Sequence, residues 1–366
     1  MILGLPAGRR SRRLAFALPL LLTVACQQEY PQSVLHPLGE FARITDAVFM
    51  QTVWWATLVF VLVQGALLYA MYRFRGRPGD AEPEQIHGNT TLEIVWTIIP
   101  AVILAVIAVP TVKAIFKTNQ IPGDNPLTVE VIGHQWWWEF RYPEFQLTTA
   151  NELHVPINRT VHLKMGSADV LHSFWVPQFA GKRDVFPNRE TRLWFVAEKA
   201  GNYPAQCTEF CGMQHGKMAY RVVASEPAEF EAWLAKMRTF AAAPPAPAAP
   251  APAAKDTVRT TSAGATIEGA SQGAATADGQ KLFMAKGCAG CHSLVALNAP
   301  KGMLGPNLAN IGARSWIAAG TLPNTDENLA HWIRTPQAIK QGVLMPNLGL
   351  SEDEAKAIAA YLRTIR

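Results

Sequence analysis

The sequence predicts a multidomain membrane protein built from a two-helix transmembrane hairpin, an all-β domain, an Ala/Pro-rich linker and an all-α C-terminal domain. Three observations predict it. Two uncharged runs in the N-terminal third are each long enough to cross a hydrocarbon core. Short alternating segments follow, set off by turn residues such as Pro143, Asn158 and Gly181. Beyond a stretch dominated by Ala and Pro, the pattern becomes helical. A chain of 366 residues has room for two or three such units. Its apolar fraction of 49% is ordinary, so the membrane segments have to be found locally.

Residues 1–25 read as an export signal. Arg9, Arg10, Arg12 and Arg13 precede a short apolar run over 14–25, too short to span a bilayer. The run ends in Val24-Ala25-Cys26, which resembles a bacterial lipoprotein cleavage site and makes Cys26 a candidate for lipid attachment. Thr23 departs from the leucine usual three residues before the cysteine, so an ordinary signal peptide is the alternative. These four arginines also supply most of the net charge of +5. Without them the chain is near neutral, and its pI of about 9.0 gives no support to nucleic-acid binding.

Residues 26–120 form the predicted hairpin, with spans at about 47–72 and 92–112. The first has no charged side chain, and the second has none over 94–112. Arg73, Arg75 and Arg77 follow the first span and hold the connecting loop in the cytoplasm. Everything after the second span is then outside, as the export signal independently requires. Thr90 with Glu93 three residues later reads as a capping box opening the second span. Pro100 and Pro110 are tolerated because helix packing in membranes satisfies the freed backbone groups.

Residues 121–240 read as a β-sandwich or barrel. Strand-like alternation runs over 127–132, 153–157 and 161–165. A closing helix over 226–240 places Phe230, Trp233, Leu234 and Met237 on one face.

The five cysteines lie at 26, 207, 211, 288 and 291, two close pairs and one left over. That is a poor disulfide framework and a good pattern for metal or haem attachment. Cys207, Cys211, His215 and Met218 bring two thiols, an imidazole and a thioether within a dozen residues. Thiolate with imidazole suits copper or zinc, and a weak thioether points to electron-transfer copper. Two bridging thiolates can hold two coppers, each with one histidine. His215 supplies one imidazole, and His172 is the best candidate for the other. A structural Cys₂His₂ zinc site is the competing reading, and it leaves Met218 unexplained. His134, His154 and His162 read as core or surface histidines.

On these residues, the stretch 45–238 resembles subunit II of cytochrome c oxidase. The family's binuclear copper centre, CuA, has the pattern Cys-x-Glu-x-Cys-x₃-His-x₂-Met with an upstream histidine. Cys207, Glu209, Cys211, His215, Met218 and His172 match it. The resemblance implies a cupredoxin-like domain in which Glu209 binds copper through its main-chain carbonyl. It also implies that the Glu209 carboxylate leans towards a magnesium or manganese ion shared with subunit I. In Gly133-His134-Gln135-Trp136-Trp137-Trp138, the resemblance gives Trp136 the role of electron entry; an aromatic belt at the membrane surface is the alternative. Glu93 matches a carboxylate near a proton-uptake path of subunit I.

Residues 241–277 read as a linker: Ala and Pro first, then Ala, Thr, Ser and Gly. Within 278–366, Cys288-Ala289-Gly290-Cys291-His292 is a C-x-x-C-H motif for covalent c-type haem. A thioredoxin-like pair would need a βαβ pattern, whereas the expected elements are helices over 278–286, 325–334 and 351–365. Met345 is the expected sixth iron ligand; Met303 is a weaker choice and Met284 precedes the motif. The region is similar to class I cytochrome c, where the proline carbonyl of Gly305-Pro306-Asn307-Leu308 would orient His292. Residues 278–366 carry nine Lys or Arg against six acids, and residues 121–238 carry twelve against thirteen. Opposite signs favour docking of the two units, and a tether favours it more by raising effective concentration.

The fused arrangement resembles caa-type oxidases. What it implies is an electron-entry subunit of a respiratory oxidase in the bacterial plasma membrane, its copper and haem domains on the periplasmic or outer face. Subunit I, and also subunit III, would be partners, with a soluble or membrane cytochrome c or an upstream bc complex as donor. Oxygen reduction and proton pumping would take place in subunit I. A CuA-type nitric oxide reductase is the nearest alternative, and a membrane-tethered redox carrier or copper chaperone is the alternative of another class. Mass spectrometry of the mature N-terminus is expected to find a lipid-modified Cys26; an unmodified start at another residue removes the anchor.

Overall fold

The computed structural model describes residues 31–76, 78–79, 81–82, 85, 87–240 and 268–366. The signal over 1–25, Cys26, Arg77 and the linker up to residue 267 lie outside the described residues. Helix α1 runs Glu40–Arg73 and α2 runs Thr90–Asn119, so both exceed the expected spans. At about 1.5 Å per residue, each overhangs a hydrocarbon core of about 30 Å. Charged residues such as Glu40, Arg43 and Lys117 end a hydropathy pattern without ending a helix. The central windows of both helices are unburied by the rest of the chain. The true cap of α2 is Asn89, one residue earlier than expected. Its side chain accepts from Leu92 N at 3.1 Å, while Glu93 Oε1 accepts from Asn89 N at 3.3 Å. Asn is among the strongest cap residues, which accounts for the shift.

The overhanging ends sit on the β domain. Phe41 is buried edge-on to Trp194, with ring centroids 5.4 Å apart. Trp194 Nε1 donates to the Thr118 carbonyl at the end of α2, at 2.7 Å. One tryptophan therefore touches both membrane helices.

Ten strands form that domain: β1 Leu127–His134, β2 Trp137–Tyr142, β3 Leu147–Ala150, β4 Glu152–Pro156, β5 Thr160–Ser167, β6 His172–Trp175, β7 Arg183–Val185, β8 Thr191–Val196, β9 Gly201–Cys207 and β10 Ala219–Ser225. They make two five-stranded sheets, ordered β3-β2-β1-β5-β8 and β4-β10-β9-β6-β7. The pairs β1–β5 and β4–β10 are parallel and the rest antiparallel. Alternate residues of β1 (Leu127, Val129, Val131) enter the core between the sheets, the period-2 pattern of a half-buried strand. Trp138, Phe174 and Tyr220 pack edge and face at the centre. Helix α3, Pro227–Arg238, closes the domain with Phe230, Leu234 and Met237 buried, while Trp233 stacks on His154. The architecture is a cupredoxin-like sandwich.

The C-terminal unit is helical: α4 Glu268–Ala285, α5 Asp326–Arg334, α6 Pro336–Ile339 and α7 Glu352–Thr364, with a small β11–β12 pair, Trp316–Ile317 and Leu322–Pro323. Helix α4 begins ten residues before the expected boundary at 278. Ala, read there as flexible linker, is also the best helix former, and extending an existing helix avoids a new nucleus. Ser351 and Glu354 form a full capping box on α7. Helices α4 and α7 cross at Gly279, where a Cβ would overlap the Ala357 carbonyl and its carbon. Gly279→Val is therefore expected to force the helices apart and destabilise the C-terminal unit by about 1–3 kcal/mol, read as a lowered unfolding midpoint.

Candidate copper centre and haem pocket

The candidate copper residues come from three places in the second sheet. His172 opens β6, Cys207 ends β9, and residues 208–218 form the loop into β10. Antiparallel pairing of β9 with β10 brings the loop ends together, and Cys207 N donates to the Met218 carbonyl at 3.0 Å. Phe174 lies opposite Cys207 on β6, which carries His172 to the same end of the sheet.

The donor atoms converge. Cys207 Sγ lies 3.8 Å from Cys211 Sγ, 3.9 Å from His172 Nδ1 and 3.3 Å from the Glu209 carbonyl oxygen. Cys211 Sγ lies 3.7 Å from His215 Nδ1 and 3.7 Å from Met218 Sδ. Both cysteines are buried and free. The fold thus gathers all six residues expected for CuA, with the peptide carbonyl of Glu209, not its carboxylate, facing the sulfurs. Among the described residues, His134, His154 and His162 stay outside this cluster. Two soft sulfurs, each beside one imidazole and with further thioether and carbonyl donors, fit a copper pair and exceed what a tetrahedral zinc requires.

Electrostatics bind the cluster further. A hydrogen bond from Cys211, working against burial and helped by His172, holds the Cys207 thiol well below its ordinary value. The Cys207 thiolate in turn pushes the Cys211 thiol up. Burial works against a charged His172, but its bonds to Asp169 and Cys207 outweigh it and raise its pKa. Asp169 is the residue that sequence reasoning missed here. Its carboxylate pairs with His172 Nε2 at 2.8 Å and accepts from Gln135 N at 2.6 Å. One acid therefore aims the ring and ties it to the aromatic segment. Its place three residues before His172 was the only signal.

Trp136 is 9% exposed, and its Nε1 donates to the Cys211 carbonyl at 3.0 Å. Gly212, at φ +114°, makes this packing feasible, since a Cβ there would lie 3.1 Å from the indole. Trp137 stacks on His134, with ring centroids 4.0 Å apart, and Trp138 is sealed in the core.

The second site is a cavity of about 350 Å³ lined by Cys288, Cys291, His292 and Met345, with apolar walls from Phe283, Leu308, Ile333 and Ile358. His292 Nδ1 donates to the Pro306 carbonyl at 2.8 Å. Burial pushes His292 down, which keeps the ring neutral and leaves Nε2 free for iron. Gly305 cradles the ring, because a Cβ there would lie 2.5 Å from it. Gln337 Nε2 donates to the Val343 and Met345 carbonyls and so shapes the methionine loop. Met284 and Met303 do not line the cavity. The buried Arg314 does, its guanidinium held by the Asn307 and Ala309 carbonyls, and it would offer a positive charge to an acidic group of a bound haem. Apolar walls, two thiols, a neutral imidazole and a buried cation together fit a covalent haem.

The cavity's lining continues into the copper domain with Gln135, Trp136, Trp137 and Asn151. The two units dock directly. Ala219 N donates to the Ala319 carbonyl at 3.0 Å, Thr148 N to that of Ala296 at 3.0 Å, and Ser315 N to Glu152 Oε1 at 3.2 Å. The Arg221 guanidinium lies 4.7 Å from the Trp316 ring centroid. At the centre is Lys340, 1% exposed, its pKa pushed down to about 7 by burial and then by the nearby Lys217. No sequence pattern singled it out.

A membrane hairpin carrying a soft-metal sandwich and a haem-type helical unit defines a membrane-anchored redox subunit. Comparison with known proteins makes the class particular. The family model for the cytochrome c oxidase subunit II transmembrane domain matches residues 40–114, that for its periplasmic domain matches 145–225, and that for cytochrome c matches 276–366. The chain is 34% identical to cytochrome c oxidase subunit 2 of Alkalihalophilus pseudofirmus, covering 97% of each chain. It is 32% identical to that of Bacillus sp. strain PS3, covering 96% of each. Among solved structures, the periplasmic domain of subunit II of cytochrome oxidase of Bradyrhizobium japonicum shares 30% identity. That match covers 33% of this chain and 98% of that one, at a TM-score of 0.32. The chain belongs to the cytochrome c oxidase subunit II family and carries a fused cytochrome c domain. It is part of an oxidase complex, anchored in the membrane with its soluble domains on the outer face.

Gly305→Ala is expected to displace the His292 ring, weaken its bond to Pro306 and cost about 1–3 kcal/mol of stability. An altered visible spectrum of the attached haem, with the copper signal unchanged, is the check.

Proposed function

We propose that this chain is the electron-entry subunit of an oxygen-reducing oxidase, with haem on Cys288, Cys291, His292 and Met345 and a binuclear copper centre on His172, Cys207, Glu209, Cys211, His215 and Met218. Electrons pass from the haem to the copper and on to a haem of subunit I, where oxygen is reduced to water and protons are pumped. When bound, the haem iron and the copper pair each supply a one-electron redox couple in a fixed position. The rest of the work belongs to this chain's residues. The Pro306 carbonyl holds the His292 ring, Asp169 aims His172, and burial keeps solvent from both thiols. Trp136 carries the proposal: one indole lines the haem cavity and hydrogen-bonds the backbone of a copper ligand.

In the same reading, a soluble or membrane cytochrome c or an upstream bc complex feeds the haem. Subunit III completes the assembly, and Cys26 adds a lipid anchor. The Glu209 carboxylate would face a magnesium or manganese ion shared with subunit I, while its main-chain carbonyl faces Cys207 Sγ. Glu93, at the cytoplasmic end of α2, would serve a proton-uptake path as well as its cap.

Metal analysis with electron paramagnetic resonance on the purified chain tests the proposal. Two coppers and one haem iron per chain, with a mixed-valence copper signal, are expected; one zinc and no copper overturns it. Cys211→Ser should abolish the copper signal, leave the haem attached and stop reoxidation of reduced haem by the assembled complex. Consumption of nitric oxide instead of oxygen by that complex would move the chain to a CuA-type reductase.

A further inference from the structure

Lysine is rarely sealed inside a protein without an acid beside it, because removing an ammonium from water costs several kcal/mol. Lys340 is sealed in this way, and among the described residues no carboxylate pairs with it. Its Nζ instead reaches three backbone carbonyls: Lys217 at 2.7 Å, Trp136 at 3.3 Å and Ala318 at 3.3 Å. In its protonated form Lys340 has three donors, one for each of these carbonyls. The acceptors belong to three separate segments. Lys217 lies in the copper-ligand loop between His215 and Met218, Trp136 lies against Cys211, and Ala318 belongs to the C-terminal unit.

The copper-ligand loop grips the same segment in return. Gln214 Nε2 donates to the Gln341 carbonyl at 2.6 Å, and Lys217 Nζ donates to that of Ile339 at 2.6 Å. Carbonyls on both sides of Lys340 are thus held by the loop that Lys340 itself holds. Five residues further along stands Met345, in the wall of the haem cavity.

We infer that Lys340 is a positioning residue for electron transfer, a buried latch that fastens the methionine-bearing loop of the cytochrome unit to the copper-ligand loop. The inference rests on the electron-relay reading above and extends it. The tether keeps the two units close, and the latch fixes which faces meet. A methionine at 340 has nearly the same length and fills the space, but it leaves the Trp136 and Lys217 carbonyls without this donor, while that of Ala318 keeps Thr321 Oγ1.

The test uses the full chain in its assembled complex, as wild type and as Lys340→Met. Hydrogen–deuterium exchange reads docking through the amides of Ala219 and Thr148, which bond across the interface. Both are expected to exchange about tenfold faster in the variant, while the β1–β5 ladder keeps its protection. Transfer from flash-reduced haem to copper should slow by about the same factor, with both metal signals unchanged. Unaltered interface exchange overturns the latch, and so does a loss of protection spread evenly through the β1–β5 ladder. If Lys340→Met fails to assemble, Lys340→Gln takes its place, since a shorter amide with two donors cannot serve all three carbonyls. Faster exchange at Ala219 then supports the inference and unchanged exchange overturns it. Absence of copper or haem from the wild-type chain would sink the relay reading instead, so the two failures are distinguishable.

Discussion

The pairing of β9 with β10, closed by the bond from Cys207 N to the Met218 carbonyl, is what the rest of the molecule depends on. It turns residues 208–217 into a short loop pinned at both ends to a rigid sheet. Inside so tight a loop, two sulfurs 3.8 Å apart have nowhere to relax. Burial adds the chemical consequence: one thiol ionises readily at the expense of the other, and a cation between them would favour ionisation of both. A donor set held at both ends by one sheet suits a site whose charge changes while its geometry should not.

The same loop also shapes the rest of the molecule. Its outer side receives Trp136 through the Cys211 carbonyl, and Trp136 forms part of the wall of the haem cavity. The cavity is therefore completed by a domain other than the one that carries the C-x-x-C-H motif. Interdomain contact is mostly backbone-directed, with carbonyls of Trp136, Lys217, Ile339 and Gln341 as acceptors. Backbone acceptors tolerate side-chain change, which makes such a junction hard to see in a sequence. Elsewhere on the sandwich, Trp194 joins the ends of both membrane helices and sets the copper domain directly on its anchor.

Much of this was legible beforehand, because the strongest signals were local. Uncharged runs announced the hairpin, and the Cys207–Met218 and Cys288–His292 stretches each hold their own chemistry within a few residues. Three strands were marked by alternation; others were obscured by short length, as in β6 and β7, or by burial on both faces, as along β2. The helix ends were misjudged where charge interrupted hydropathy at Glu40 and Lys117, and where alanine was read as linker before residue 278.

The sequence by itself determined the order of the units, the two cysteine motifs and the side of the membrane they occupy, since spacing and charge along the chain suffice for these. Only the tertiary structure decided that Asp169 aims His172, that Arg314 lines the haem cavity, and that a lysine near the C-terminus is buried against the copper loop. The last two join residues far apart in the chain, and Asp169 is itself held by the amide of Gln135, 34 residues away. Residue identity carries no record of where its own backbone will find a partner, so such contacts exist only once the sheets have closed and the two units have docked.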